Sequence, residues 1–89
     1  MVCVTFTPNI QRHVSCPPEA VEAGTVREVL ERAFASQGAA RRYVLDDRGA
    51  LRRHMVVFVN GTAIIDRTTL TDEVPDGAEV YVMQALSGG

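Results

Sequence analysis

A single stretch of helical periodicity, Thr25 to Phe34, lies between segments that alternate with period two, and a chain with one main helix can bury its apolar stripe only against a sheet. Thr25 and Glu28 have the spacing of a capping box, in which each residue satisfies a backbone N–H of the other. Val26, Val29, Leu30, Ala33 and Phe34 then share one face, while Arg27, Glu28, Glu31 and Arg32 face away. Glu28 and Arg32 are expected to pair across one turn, and Gly38 is expected to stop the helix.

On the N-terminal side, Val2, Val4 and Phe6 alternate with Cys3, Thr5 and Thr7, which predicts a strand with one buried face. Pro8-Asn9 breaks it. Ile10, Arg12 and Val14 against Gln11, His13 and Ser15 predict a return strand, ended by Pro17-Pro18. Beyond the helix, Ala39 to His54 reads as a long connection with a turn at Asp46-Asp47-Arg48-Gly49. Met55 to Val59 is a strand running into Asn60-Gly61, the strongest short signal for a tight hairpin, and Thr62 to Ile65 pairs back. Leu70 and Val74 anchor a loop, Pro75-Asp76-Gly77 turns the chain, and Glu79 to Ala85 forms the last strand.

The order strand, strand, helix, strand, strand, strand predicts an α+β fold of the β-grasp type, with a mixed sheet of about five strands packed on one main helix. Its first and last strands lie side by side and parallel, the helix-bearing chain serving as the crossover. One domain, 1–85, is then followed by a short tail, 86–89. The strands Met55-Val56-Val57-Phe58-Val59 and Val80-Tyr81-Val82-Met83 are apolar on both faces, yet one helix covers only one. With Val57, Val59, Val80 and Val82 toward the core, Val56, Phe58, Tyr81 and Met83 form an apolar patch on the open face, where a partner is expected to dock. The alternative is that the connection from Ala39 to His54 folds over that face.

The tail, Leu86-Ser87-Gly88-Gly89, places an unhindered carboxylate on a backbone that tolerates nearly any dihedral angle. From Ala85 it can extend by roughly 13 Å and enter a narrow site while the body stays outside. A frayed end or linker remnant would look the same in isolation. All nine basic residues are arginine. A body without lysine amines suits an activated acyl end, although a compositional preference for arginine would give the same count.

Other chemistry is sparse. Cys3 and Cys16 are expected to be buried or half-buried thiols, and His13 and His54 to be strand surface residues; their spacing matches no metal site. There is no phosphate-binding glycine loop. A net charge of -2 names no nucleic acid, and no apolar run reaches membrane length. A cytoplasmic location is expected, with no bound cofactor.

The run Val57-Phe58-Val59-Asn60-Gly61, the segment Asp76-Gly77-Ala78-Glu79-Val80, the helix start Gly24 to Leu30 and the ending Gln84 to Gly89 together resemble the MoaD/ThiS family of ubiquitin-like sulfur carriers. The resemblance implies a substrate of other enzymes, not a catalyst. Gly89, with Gly88 before it, would be adenylated by a ubiquitin-activating-type enzyme that consumes ATP, and converted to a thiocarboxylate that gives sulfur to a biosynthetic enzyme. Leu86 and Ser87 would join Val56, Phe58, Tyr81 and Met83 in partner binding. The long 39–54 connection is similar to that of the molybdopterin-synthase small subunit or of carriers in cysteine and siderophore sulfur transfer, so the pathway stays open, with a molybdopterin-type acceptor favoured. A protein modifier conjugated through Gly89, or a β-grasp interaction module with an inert tail, would share the fold.

Overall fold

The structure, a computed structural model, describes residues 1–85. Its central element is a parallel pair. Strand β1 (Val2–Phe6) lies beside β7 (Glu79–Gln84) in the register Cys3 with Glu79 through Phe6 with Val82. On one side β2 (Glu19–Val21) pairs antiparallel with β1, and on the other β4 (Met55–Val59) pairs antiparallel with β7 and then with β5 (Thr62–Ala63). The sheet order is β2-β1-β7-β4-β5. A mixed five-stranded sheet on a main helix is the β-grasp architecture that the strand order predicts.

The helix α2 (Val26–Ala33) carries its stripe as read: Val26, Val29, Leu30, Ala33 and Phe34 are all buried. Both halves of the capping box form. The Thr25 hydroxyl accepts from Glu28 N–H at 3.2 Å, and Glu28 Oε1 accepts from Thr25 N–H at 2.9 Å. That use of Glu28 departs from the expected pair with Arg32, which instead donates to the carbonyls of Glu22 and Ala23. The ion pair across one turn is Arg27 with Glu31, at 3.7 Å. A two-stranded ribbon, β3 (Gly24–Thr25) with β6 (Glu73–Val74), seats the helix start.

Two other expectations fail. The predicted return strand at Ile10 to Val14 is a short helix, α1 (Pro8–Gln11), followed by a turn. Thr7 is extended, and Pro8 at the first helical position brings its own fixed φ and needs no hydrogen-bond donor there. Only Ile10 of that apparent alternation is fully buried, and the strand partner of β1 comes after Pro17-Pro18. His13 and His54 accordingly lie in turns. Gly38 does not stop α2, which ends at Ala33 with Phe34 as its C-cap; it begins α3 (Gly38–Val44).

The core fills the space between α2 and one sheet face, joining Val2, Val4 and Phe6 to Met55, Val57, Val80 and Val82. Asn60 and Gly61 both adopt positive φ, 50° and 83°, as the tight hairpin turn requires. Among the described residues, no helix is long and apolar enough to cross a membrane.

Candidate functional site

Residues directly opposite one another in a sheet share a face, so the register fixes what the open side presents. Val56 lies opposite Met83, and Phe58 opposite Tyr81. Thr5 flanks Tyr81 from β1, and Ala63 flanks Phe58 from β5. Val57, Val80 and Val82 point the other way into the core, with Val59 half-buried beside them. Val56, Phe58 and Met83 are partly exposed and Tyr81 is 41% exposed. The structure thus brings these four side chains together on one face.

Cys3 and Thr5 extend this surface and were missed as site residues, although their alternation with Val2, Val4 and Phe6 already assigns them to it. Cys3 is exposed, contrary to expectation, because its odd position faces away from the helix. Cys16 is buried, and that burial pushes its thiol up from the ordinary range. Cys3, Thr5, Phe58, Asn60, Gly61, Glu79 and Tyr81 line a shallow hollow of about 370 Å³. Asn60, one of its lining residues, accepts the Glu79 N–H at 2.9 Å through its side-chain oxygen.

The connection over 39–54 does not close this face. Ala40, Val44, Leu45 and Leu51 join the core, on the helix side, and a bridge between Leu45 and Leu51 folds the segment on itself. Asp46 accepts the N–H groups of Arg48 and Ala50 and builds the expected turn, and these backbone donors lower its pKa. Arg41 locks α3 to α2 through two hydrogen bonds to the Glu31 carboxylate, at 2.7 and 2.8 Å. The bound guanidinium holds Glu31 below the usual carboxylate range.

The end of β7 is held from two sides. Ala85 N–H donates to the His54 carbonyl at 2.8 Å, and the Tyr43 hydroxyl donates to Gln84 Oε1 at 2.9 Å. The Tyr43 ring stacks on His13 at 5.4 Å between centroids and meets the edge of His54 at 6.4 Å. Beside this anchor, Thr7, Pro8, Asn9, Met83, Gln84 and Ala85 line a largely apolar groove of about 480 Å³. Sequence patterning gave no sign of the Tyr43 contact, which spans distant segments. The expected site residues Leu86, Ser87, Gly88 and Gly89 lie outside the described residues. No group of three or more His, Cys, Asp or Glu among the described residues is arranged to hold a metal ion.

The model of the ThiS family matches residues 14–89. Similar folds occur in the Amycolatopsis orientalis BexX/CysO complex (20% identity, TM-score 0.81, covering 100% of both chains). CysO from Mycobacterium tuberculosis is similar as well (19%, 0.79, 97% of this chain and 100% of that one). So is small archaeal modifier protein 1 from Methanosarcina acetivorans (20%, 0.78, 99% and 95%). No curated protein sequence matches the chain.

Proposed function

The chain belongs to the ThiS family, and from that premise we propose that it is a sulfur carrier whose Gly89 carboxylate is activated by a partner enzyme and then loaded with sulfur. The observation that carries this reading is the position of β7. It runs through the middle of the sheet, beside the uncovered face of Val56, Phe58, Tyr81 and Met83, and leads directly into the sequence Leu86-Ser87-Gly88-Gly89.

The chemistry must come from the partner. An α-carboxyl group has a pKa near about 3.5, so at neutral pH it is an anion that nucleophiles do not attack. Adenylation by a ubiquitin-activating-type enzyme, using ATP and releasing pyrophosphate, converts it to an acyl phosphate ester with a good leaving group. Hydrosulfide then forms the carbon–sulfur bond and AMP departs, leaving a thiocarboxylate on Gly89. The carrier is a substrate in both steps. It needs only a thin end and a docking face, and in this reading Leu86 and Ser87 join Val56, Phe58, Tyr81 and Met83 in contacting the partner. The BexX/CysO complex of Amycolatopsis orientalis supports docking between a protein of this fold and a partner. The sulfur acceptor we favour is an enzyme of molybdopterin-type cofactor synthesis, with cysteine or siderophore sulfur transfer as the alternatives that a long 39–54 segment equally suits.

Intact-mass measurement of the protein from its native cell tests the reading. Replacement of one oxygen by sulfur, localised to Gly89 by fragmentation, is expected; unmodified protein under every sulfur supply would sink it. Covalent attachment of Gly89 to a lysine of another protein would instead favour a modifier, the reading suggested by the name of the Methanosarcina acetivorans neighbour.

A further inference from the structure

Of the products an activated carboxyl group can form with a side chain, an amide is the one least readily reversed. Attack by a thiol gives a thioester, which remains activated, and attack by an imidazole gives an acyl imidazole, which hydrolyses back to the acid. Amines are therefore the groups from which a carrier of this kind must be protected. The sequence contains no lysine. Arginine geometry accounts for part of that usage: Arg27 donates to the carbonyls of Thr69, Gly49 and Thr68, Arg67 to those of Arg52 and Arg53, and Arg41 grips Glu31 with two nitrogens. It does not account for the rest. Arg12, Arg42, Arg48 and Arg53 are exposed, and their guanidinium groups make no hydrogen bond or ion pair with the described residues, so a lysine would serve there equally well.

The α-amino group of Met1 is the remaining amine, and the parallel arrangement of β1 and β7 sets it far from the tail. The Met1 carbonyl accepts the Gly77 N–H at 3.1 Å, and the Met1 ammonium is ion-paired with Asp76. From Gly77 the chain climbs about eight residues, most of them in β7, to reach Ala85, a rise of about 26 Å at roughly 3.3 Å per residue. The four residues beyond Ala85 span at most about 14 Å when fully extended.

We propose that the chain is an acyl donor that cannot amidate itself, because its side chains offer no amine and its α-amino group lies beyond reach of Gly89 at the opposite end of the central strand pair. Only an external nucleophile can discharge it permanently. By the same arrangement, another copy cannot be attached to it through a lysine. This rests on reading Gly89 as the activated group, but its test does not require an activating enzyme.

The full-length chain is prepared with a chemically installed thioester at Gly89, by cleavage of an intein fusion with a small thiol, and held at mildly alkaline pH and low micromolar concentration. Three chains are compared by intact mass: the native one, Arg53→Lys beside the His54 anchor of β7, and Glu22→Lys at the far end near Met1. The native chain and Glu22→Lys are expected to hydrolyse to the free acid. Arg53→Lys is expected to yield a product one water lighter than the acid, with fragmentation locating an amide between the introduced side-chain amine and Gly89. A Met1–Gly89 amide in the native chain, a cyclic product in Glu22→Lys, or its absence in Arg53→Lys would each overturn the proposal. Because the thioester is made chemically, these outcomes are independent of whether sulfur is ever found on Gly89 in the cell.

Discussion

Asp66 organises the loop between β5 and β6. Its carboxylate accepts from the backbone N–H groups of Thr68, Thr69 and Thr71 and from the Thr71 hydroxyl, the last at 2.6 Å. The Thr71 hydroxyl and these backbone donors hold its pKa well below the usual carboxylate range. Asp72 is lowered for a related reason, since it accepts from Ile65 and Asp66 N–H. A carboxylate depressed in the folded state adds stability above its unfolded pKa of about 4, and that contribution drains away as pH falls through and below this value. Asp66→Asn is therefore expected to lower the thermal midpoint at neutral pH, with the gap to the native chain narrowing on acidification below about pH 4, as followed by circular dichroism. Leu70, in the same loop, combines complete burial with a left-handed φ of 58°. Its apolar character was legible as an anchor, but the left-handed backbone was not, because no glycine or asparagine marks it. Leu70→Ala is expected to cost about 2–5 kcal/mol in denaturant unfolding, since the backbone strain stays while the packing is lost.

At the level of elements, local chemistry was legible wherever one short motif had one structural solution. The Thr25/Glu28 box and the Asn60-Gly61 turn formed as read because their hydrogen bonds and dihedrals are specified within four residues. Ile10 to Val14 misled because an alternation over five residues also suits a single helical turn, and Pro8 supports the turn. Gly38 misled for a similar reason: glycine permits a helix end without requiring one. The helix start also carries a load beyond itself, since Val26 and Arg27 N–H groups donate to the carbonyls of Asp72 and Leu70 and tie α2 to the loop before β6. Thr25→Ala is expected to destabilise the fold by about 1 kcal/mol, read as a lower midpoint in urea with an unchanged slope.

Across the whole molecule, the open face was legible from strand parity, because residues two apart must share a side. What covers the other side was only half legible: α2 announced itself, while α3 and the Tyr43–Gln84 contact depend on segments distant in sequence. If the open face is the docking surface, Phe58→Asp and Tyr81→Asp should each weaken binding to the activating enzyme by on the order of tenfold or more, measured by calorimetry. Folding should largely persist, as a cross-strand pair of this kind contributes about 0.2–1 kcal/mol. Binding unchanged in both variants would place the interface elsewhere.

The parallel β1–β7 pair also has a mechanical consequence. A pull applied between Met1 and Ala85 draws the two strands in opposite directions along their length, so the ladder from Cys3–Glu79 to Phe6–Val82 is loaded in shear and its bonds share the force. A pull that opens β5 from β4 at the end away from the Asn60-Gly61 turn instead unzips one bond at a time. Force applied along the axis of β7 is therefore shared across that ladder and does not peel the strand from β1 bond by bond.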